Sequence, residues 1–293
     1  MMKIAIAAAT GNIGSRAAKQ VASQGAIPIL LGQNIDRLNQ LNIPNAITEV
    51  ADLSNKEQVI KATQSADALL WLVPPVLNVS SLREWYDQVI GAGIAAVRQN
   101  QIKRVVLIST LGVSTLPHLG TVTYCGNMEA AFDELDTNVL ALRPGYFMEN
   151  FLLQAQSIKE KGEFSFTYDA QHDVPFISTN DIGDAATKYL LDETWAGHWK
   201  LNLMGPENIT LSEAALRLSI QLKKTISYRQ ESLQEIKEQL KNWGATETVQ
   251  QELTDLFQAL GNPNGAYATP RTPEAYSPTS FEDFVKNKLL PLL

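Results

Sequence analysis

Near its start the chain reads Ala8-Ala9-Thr10-Gly11-Asn12-Ile13-Gly14, directly after an apolar run that begins at Ile4. Ile13, Ala17 and Val21 then recur at helical spacing, and Gly25 supplies a stop. A tight glycine turn between a strand and a helix lets the backbone approach a pyrophosphate, and the unpaired N–H groups of the helix N-terminus face the anion. Glycine suits positions 11 and 14 because a Cβ would block that approach. The usual three-glycine spacing puts its first glycine at position 8, where this chain has Ala8. The motif alone is weak, and its context, opening the chain between strand and helix, raises it. Ala8, Thr10, Gly11, Asn12, Ile13 and Gly14 are therefore the first candidate ligands of a dinucleotide phosphate.

Two later segments could complete such a crevice. Leu72-Val73-Pro74-Pro75 ends an apolar run with two prolines, which stop strand pairing and fix an extended turn. Val73, Pro74 and Pro75 could pass against a ribose or pyrophosphate. Arg143-Pro144-Gly145-Tyr146-Phe147-Met148-Glu149-Asn150 places a Pro-Gly turn and two aromatics after another apolar run, which would suit a nicotinamide at Pro144, Gly145 and Tyr146. Both segments serve equally well as structural turns with packing aromatics.

The elements that must hold these residues alternate. β-favouring runs at 27–31, 46–50, 68–73, 104–109 and 139–143 follow the first strand and are separated by helical patterns such as 56–64 and 82–99. Apolar runs of this kind are strands buried on both faces, so the reading is an α/β, Rossmann-type doubly wound parallel sheet with right-handed crossovers. Its ligands lie beyond the carboxyl ends of the strands. After residue 150 helical segments dominate (148–161, 181–191, 211–222, 232–241, 246–261), with Thr210/Glu213 and Ser232/Glu235 fitting capping boxes. The expected division is a dinucleotide-binding domain over 1–150 and a smaller, mainly helical C-terminal subdomain over 151–293. Strands near 176–178 and 199–203 are expected to return to the core. Residues 261–278 read as a loop before a last helix near 281–289.

Composition excludes several classes. Twenty-four basic against 31 acidic residues give a net charge of −7 with no block of like charge, which argues against direct nucleic-acid binding. No apolar run is long enough for a membrane span. A single cysteine, Cys125, precludes an internal disulfide, and with no secretory pattern after Met1 the expected compartment is the cytoplasm. His118, His172 and His198 show no metal-ligand spacing and read as surface or turn residues, so no metal is expected.

Ala9-Thr10-Gly11-Asn12-Ile13-Gly14, Leu72-Val73-Pro74-Pro75, Arg104-Val105-Val106-Leu107-Ile108-Ser109, the segment from Leu142 to Asn150, and Phe176-Ile177-Ser178-Thr179-Asn180-Asp181-Ile182-Gly183 occur in an order that resembles the NmrA-like family of atypical short-chain dehydrogenases/reductases. The likeness extends to Leu203-Met204-Gly205-Pro206-Glu207-Asn208-Ile209-Thr210 and Thr279-Ser280-Phe281-Glu282-Asp283-Phe284. It implies a Rossmann core, an NAD(P) cofactor, and one of two functions: NAD(P)H-dependent reduction of quinones or azo dyes, or regulation by a dinucleotide binder that does not turn its ligand over. It also brings Asp52 and Leu53 near the adenine, although Asp52 equally suits a helix cap or turn.

Departures from the pattern weigh on that choice. Classical members pair a tyrosine with a lysine four residues on, which lowers the phenol pKa for proton transfer. Here Ser109 and Tyr124 stand about where the relay serine and tyrosine belong, and the position four after Tyr124 is Met128. Alcohol dehydrogenation and sugar epimerisation are correspondingly disfavoured. Quinone reduction demands less, because an electrophilic acceptor needs chiefly proximity and orientation. Tyr146, Phe147, Trp243 and Tyr267 are candidate walls for a flat acceptor. At the end of the second strand, Gly32-Gln33-Asn34-Ile35 holds no acid to repel a 2′-phosphate, and Arg37 or Arg16 could attract one, so NADP(H) is expected over NAD(H). The expected partners are a small-molecule electron acceptor and, for the regulatory reading, a second protein; a homodimer seam on the long helix near 82–97 is equally compatible.

Overall fold

The computed structural model describes residues 1–293. β1 (Lys3–Ile6), β2 (Ile27–Gly32), β3 (Ile47–Val50), β4 (Ala68–Trp71), β5 (Arg104–Ile108), β6 (Asn138–Pro144) and an edge strand His198–Leu203 form one parallel sheet. Its spatial order is edge strand, β6, β5, β4, β1, β2, β3. The order reverses between β1 and β4, which is where such a sheet opens a crevice.

Alternation along β1 shows why these residues make a central strand. Ile4 and Ile6 pack on the face covered by α1 (Asn12–Ser23), whereas Ala5 and Ala7 pack on the opposite face. That opposite face is covered by α3 (Lys56–Ala62), α4 (Leu82–Asn100) and α5 (Thr121–Asp133), through Val59, Val89 and Met128. Each fully buried Ile or Leu contributes about 1.5–3 kcal/mol, which outweighs the weak strand propensity of the alanines. Between β2 and β3 lies the short α2 (Ile35–Asn39), capped by the Asn34 side chain on the Arg37 N–H.

The C-terminal half contains α6 (Ala155–Lys161), α7 (Thr179–Leu191), α8 (Leu211–Leu222), α9 (Leu233–Asn242) and α10 (Glu247–Leu260). Helix α7 packs against the sheet beside α1, through Ile182, Ala186 and Leu190. Both expected capping boxes are present, Thr210 with Glu213 and Ser232 with Glu235. The edge strand pairs with β6 along its whole length. Phe176–Ile177 pairs instead with Tyr146–Phe147 outside the main sheet, although the Ile177 side chain still reaches the core under α1 and α7. An aromatic cluster including Phe151, Phe164, Phe166 and Phe176 gives this half its own core. No helix is long and apolar enough to cross a membrane.

Candidate functional site

The loop after β1 enters α1 through Gly11, whose extended φ of −79° and ψ of 171° make it the N-cap, and no side chain caps the helix. The first turn also lacks an acid, so the donors of this N-terminus are left for a ligand. A Cβ on Gly14 would lie 2.5 Å from the Ala8 carbonyl oxygen and 2.9 Å from Ala9 Cα, so only glycine permits the helix to start this close to the loop. Ala8 itself takes the left-handed φ of +48°. That conformation disfavours a Cβ by about 1–2 kcal/mol, which is why glycine is usual there.

A cleft of about 750 Å³ starts at this loop and runs across the carboxyl ends of β1, β4 and β5. Ala8, Thr10, Gly11, Asn12, Ile13, Gly14, Arg37, Val73, Pro74, Pro75, Ser109 and Phe147, all named from the sequence, line it together. The Trp85 indole N–H donates to the Pro74 carbonyl at 3.0 Å and fixes the loop after β4. β4 stops at Trp71, two residues earlier than its apolar pattern, and Leu72 and Val73 become cleft wall. Arg37 is exposed and has no ion-pair or side-chain hydrogen-bond partner, so its guanidinium is available at one end. Arg16 is not: a bidentate pair with Asp184, at 2.7 and 2.8 Å, ties it to α7.

Other expected residues lie elsewhere. Gly32, Gln33, Asp52 and Leu53 sit at the ends of β2 and β3, beside the cleft and off its wall. Asp52 is a turn residue, with Oδ1 accepting from the Ser54 N–H at 2.9 Å and the Ser54 hydroxyl at 2.7 Å. Pro144 is the last residue of β6, and Gly145 is packed so closely that a Cβ would lie 2.0 Å from the Pro175 carbonyl oxygen; neither lines the cleft. Tyr146 points into the aromatic core, edge-on to Phe166, Phe176 and Tyr267. Tyr267 is buried there too and borders a separate cavity of about 740 Å³ with His172 and Arg271. His172 is correspondingly buried rather than a surface residue, with Nε2 on the Leu260 carbonyl at 3.0 Å. Trp243 is 66% exposed at the end of α9 and lines no part of the cleft. Tyr124 lies inside α5, and its hydroxyl donates to Glu252 of α10 at 2.8 Å. Burial and that carboxylate push its pKa upward, the opposite of what a proton relay needs.

Glu129, which holds one cleft residue, and the cleft residues Tyr86, Leu253 and Leu256 carry no sequence signal of their own. Ser109 Oγ donates to the buried Glu129 at 2.5 Å, and Arg143 meets the same carboxylate through Nε at 3.0 Å and Nη2 at 2.5 Å. Glu129 and Arg143 neutralise each other, and the Ser109 proton is committed to Glu129, so the serine offers a ligand lone pairs only. Glu149 is buried on the cleft wall, accepting from the Thr179 N–H at 2.9 Å, with Lys288 Nζ at 3.5 Å. Cys125 faces the same space, its thiol pushed up to about 12 by burial, and Tyr86 of α4 lies beside it. Leu253 and Leu256 of α10 close the far side. Glu252 docks that helix by accepting from Ser81 Oγ at 2.9 Å, Leu82 N at 2.7 Å and Arg83 N at 3.0 Å, the N-terminus of α4.

Residues 8–193 match the model of an NAD(P)H-binding family. The NAD(P)H azoreductase of Xenophilus azovorans is 24% identical over 264 residues, 89% of this chain and 88% of that protein. Two solved structures share the fold along nearly the whole chain. The NADPH-dependent quinone oxidoreductase of Escherichia coli, complexed with NADPH, has a TM-score of 0.76 at 21% identity over 98% of this chain and 99% of its own. The triphenylmethane reductase of Citrobacter sp., complexed with NADP(H), has a TM-score of 0.76 at 18% identity over 97% of this chain and 98% of its own. An uncapped helix N-terminus behind a glycine loop, at the point where the strand order reverses, is thus explained: the chain belongs to the NAD(P)H-binding family.

Proposed function

We propose that the protein is an NAD(P)H-dependent oxidoreductase that reduces a quinone-like or azo acceptor, with NADP(H) preferred over NAD(H). The observation that carries this reading is the continuity of one cleft, from the open donors of the α1 N-terminus to an apolar chamber walled by Ile108, Phe147, Leu253 and Leu256. Asn12, Ile13 and Gly14 would hold the pyrophosphate, and Arg37 would meet a 2′-phosphate. Bound there, the reduced cofactor supplies a hydride. The protein's own part is to orient a flat acceptor against apolar walls and to exclude most water from it. Glu149 is the one acidic side chain on the cleft wall, and its partners Thr179 and Lys288 keep its charge compensated. No lysine lines the cleft, which supports acceptors that need no activated phenol for protonation.

The relatives' activities support the same class: azo reduction for the Xenophilus protein, quinone and triphenylmethane reduction for the two structures. One observation favours a second reading. The Ser109 proton is bound to Glu129 and Tyr124 is bound to Glu252, so neither classical donor is free. A redox sensor that binds NAD(P)(H) and signals to a protein partner would need neither. Fluorescence titration with NADPH, NADH, NADP and NAD, followed by menadione added to the tightest reduced complex, separates the readings. Acceptor-dependent loss of reduced-nicotinamide absorbance supports the reductase; tight binding without loss supports the sensor; no binding by any of the four refutes both.

A further inference from the structure

The hydrogen bonds around the chamber leave an imbalance. An acceptor such as a quinone develops negative charge on oxygen as it is reduced, and that oxygen needs a donor. Ser109 has spent its proton on Glu129. Thr110 directs its hydroxyl to the Leu111 carbonyl at 3.4 Å, and Tyr124 directs its own to Glu252. Asn150 faces the Tyr146 hydroxyl. Thr179 Oγ1 has no partner but is sealed from solvent.

Tyr86 differs from all of these. It projects from α4 into the cleft, its ring packs against Tyr124 at 5.4 Å between centroids, and its hydroxyl neighbours are the Cys125 thiol and Thr121. The Tyr86 hydroxyl forms no hydrogen bond with either neighbour, so its hydrogen is not committed to a protein acceptor as those of Ser109 and Tyr124 are. The geometry points to Tyr86 as the residue that donates a hydrogen bond to the acceptor's oxygen, a role that rests on the reductase reading of this cleft. Burial pushes the phenol well above its usual range, so it stays protonated and donates without giving up its proton. The balance is then complete. The acceptor gains the hydride of the reduced cofactor and one proton from water at the open mouth, becoming the hydroquinone as the cofactor is oxidised, and Tyr86 is unchanged. Ser109, restricted to accepting, suits the opposite partner, an N–H or a hydroquinone O–H.

The test is Tyr86→Phe, which keeps the ring packed against Tyr124. Removing one donor of this kind lowers turnover by about 10- to 100-fold while leaving KM nearly unchanged, because the bond strengthens as charge develops. NADPH affinity stays at the wild-type value. A second readout needs no turnover: with carbonyl-labelled menadione bound to the NADP-loaded protein, the infrared carbonyl band is shifted down in wild type and returns toward the free position in Tyr86→Phe. Equal kcat and an unmoved band in the variant overturn the assignment while leaving the reductase intact. A wild type that binds NADPH but neither binds nor reduces menadione overturns the reading beneath it.

Discussion

Gly14 offers the sharpest test of the phosphate loop. In Gly14→Ala the new Cβ would lie 2.5 Å from the Ala8 carbonyl oxygen, 2.9 Å from Ala9 Cα and 3.0 Å from the Ala8 carbonyl carbon. All three are backbone atoms, so relief requires the loop and the first turn of α1 to separate by roughly 0.5–0.9 Å, in a core that resists such shifts. Overpacking of this kind costs about 1–3 kcal/mol, and at ~2 kcal/mol a chain of this size loses about 3 °C in Tm. The same separation takes the N–H groups of Asn12 and Ile13 out of line, and losing one charge-assisted hydrogen bond, about 1.5–3 kcal/mol, weakens NADPH roughly 10- to 100-fold. Gly11→Ala is the internal comparison. Its Cβ meets the Ala8 carbonyl oxygen at 3.3 Å, and its φ of −79° suits any residue, so Tm should fall much less while NADPH binding still weakens at the cleft wall. Calorimetry and fluorescence titration read the two quantities separately. Wild-type Tm and NADPH affinity in Gly14→Ala would refute the loop geometry and its role together.

Arg37→Ala should weaken NADPH by about threefold to tenfold, the modest value of an exposed guanidinium, and leave NADH unchanged in the same titration; equal effects on both would remove Arg37 from the 2′-phosphate. Tyr124→Phe deletes one of four hydrogen bonds at Glu252 and should cost about 1 kcal/mol in urea unfolding, with menadione turnover retained; a large loss of turnover would restore the classical relay. Cys125, whose thiol burial raises from 9.0 to about 12, should resist iodoacetamide in the native protein at neutral pH and react once urea exposes it. The sign also fixes a pH effect. Below 9.0 the thiol is neutral in both states and has no effect on the balance, and from 9.0 toward about 12 the unfolded chain ionises it first and stability falls. Cys125→Ala should flatten that part of a pH series of unfolding.

The central strands were legible because a parallel strand buried on both faces has to be an apolar run, and 27–31 or 104–109 is little else. Gly11 and Gly14 were legible because the turn constrains residue type locally. Tyr146 and Phe147 show where reading along the chain stops. The two are neighbours in an extended segment, so their side chains leave opposite faces, one into the aromatic core and the other onto the cleft. Nothing in the pair itself says which is which; that depends on Phe166, Phe176 and Tyr267, brought in from distant parts of the sequence. Glu129 with Arg143, and Glu252 with the start of α4, are equally silent in sequence because each pairing exists only after α5 meets β6 or α10 meets α4. These long-range pairings decide which hydroxyls of the cleft have a proton to offer. By committing Ser109 and Tyr124 elsewhere, they turn two residues that look catalytic into an acceptor and a strut, and they leave Tyr86, in the second turn of α4, with a proton still to offer.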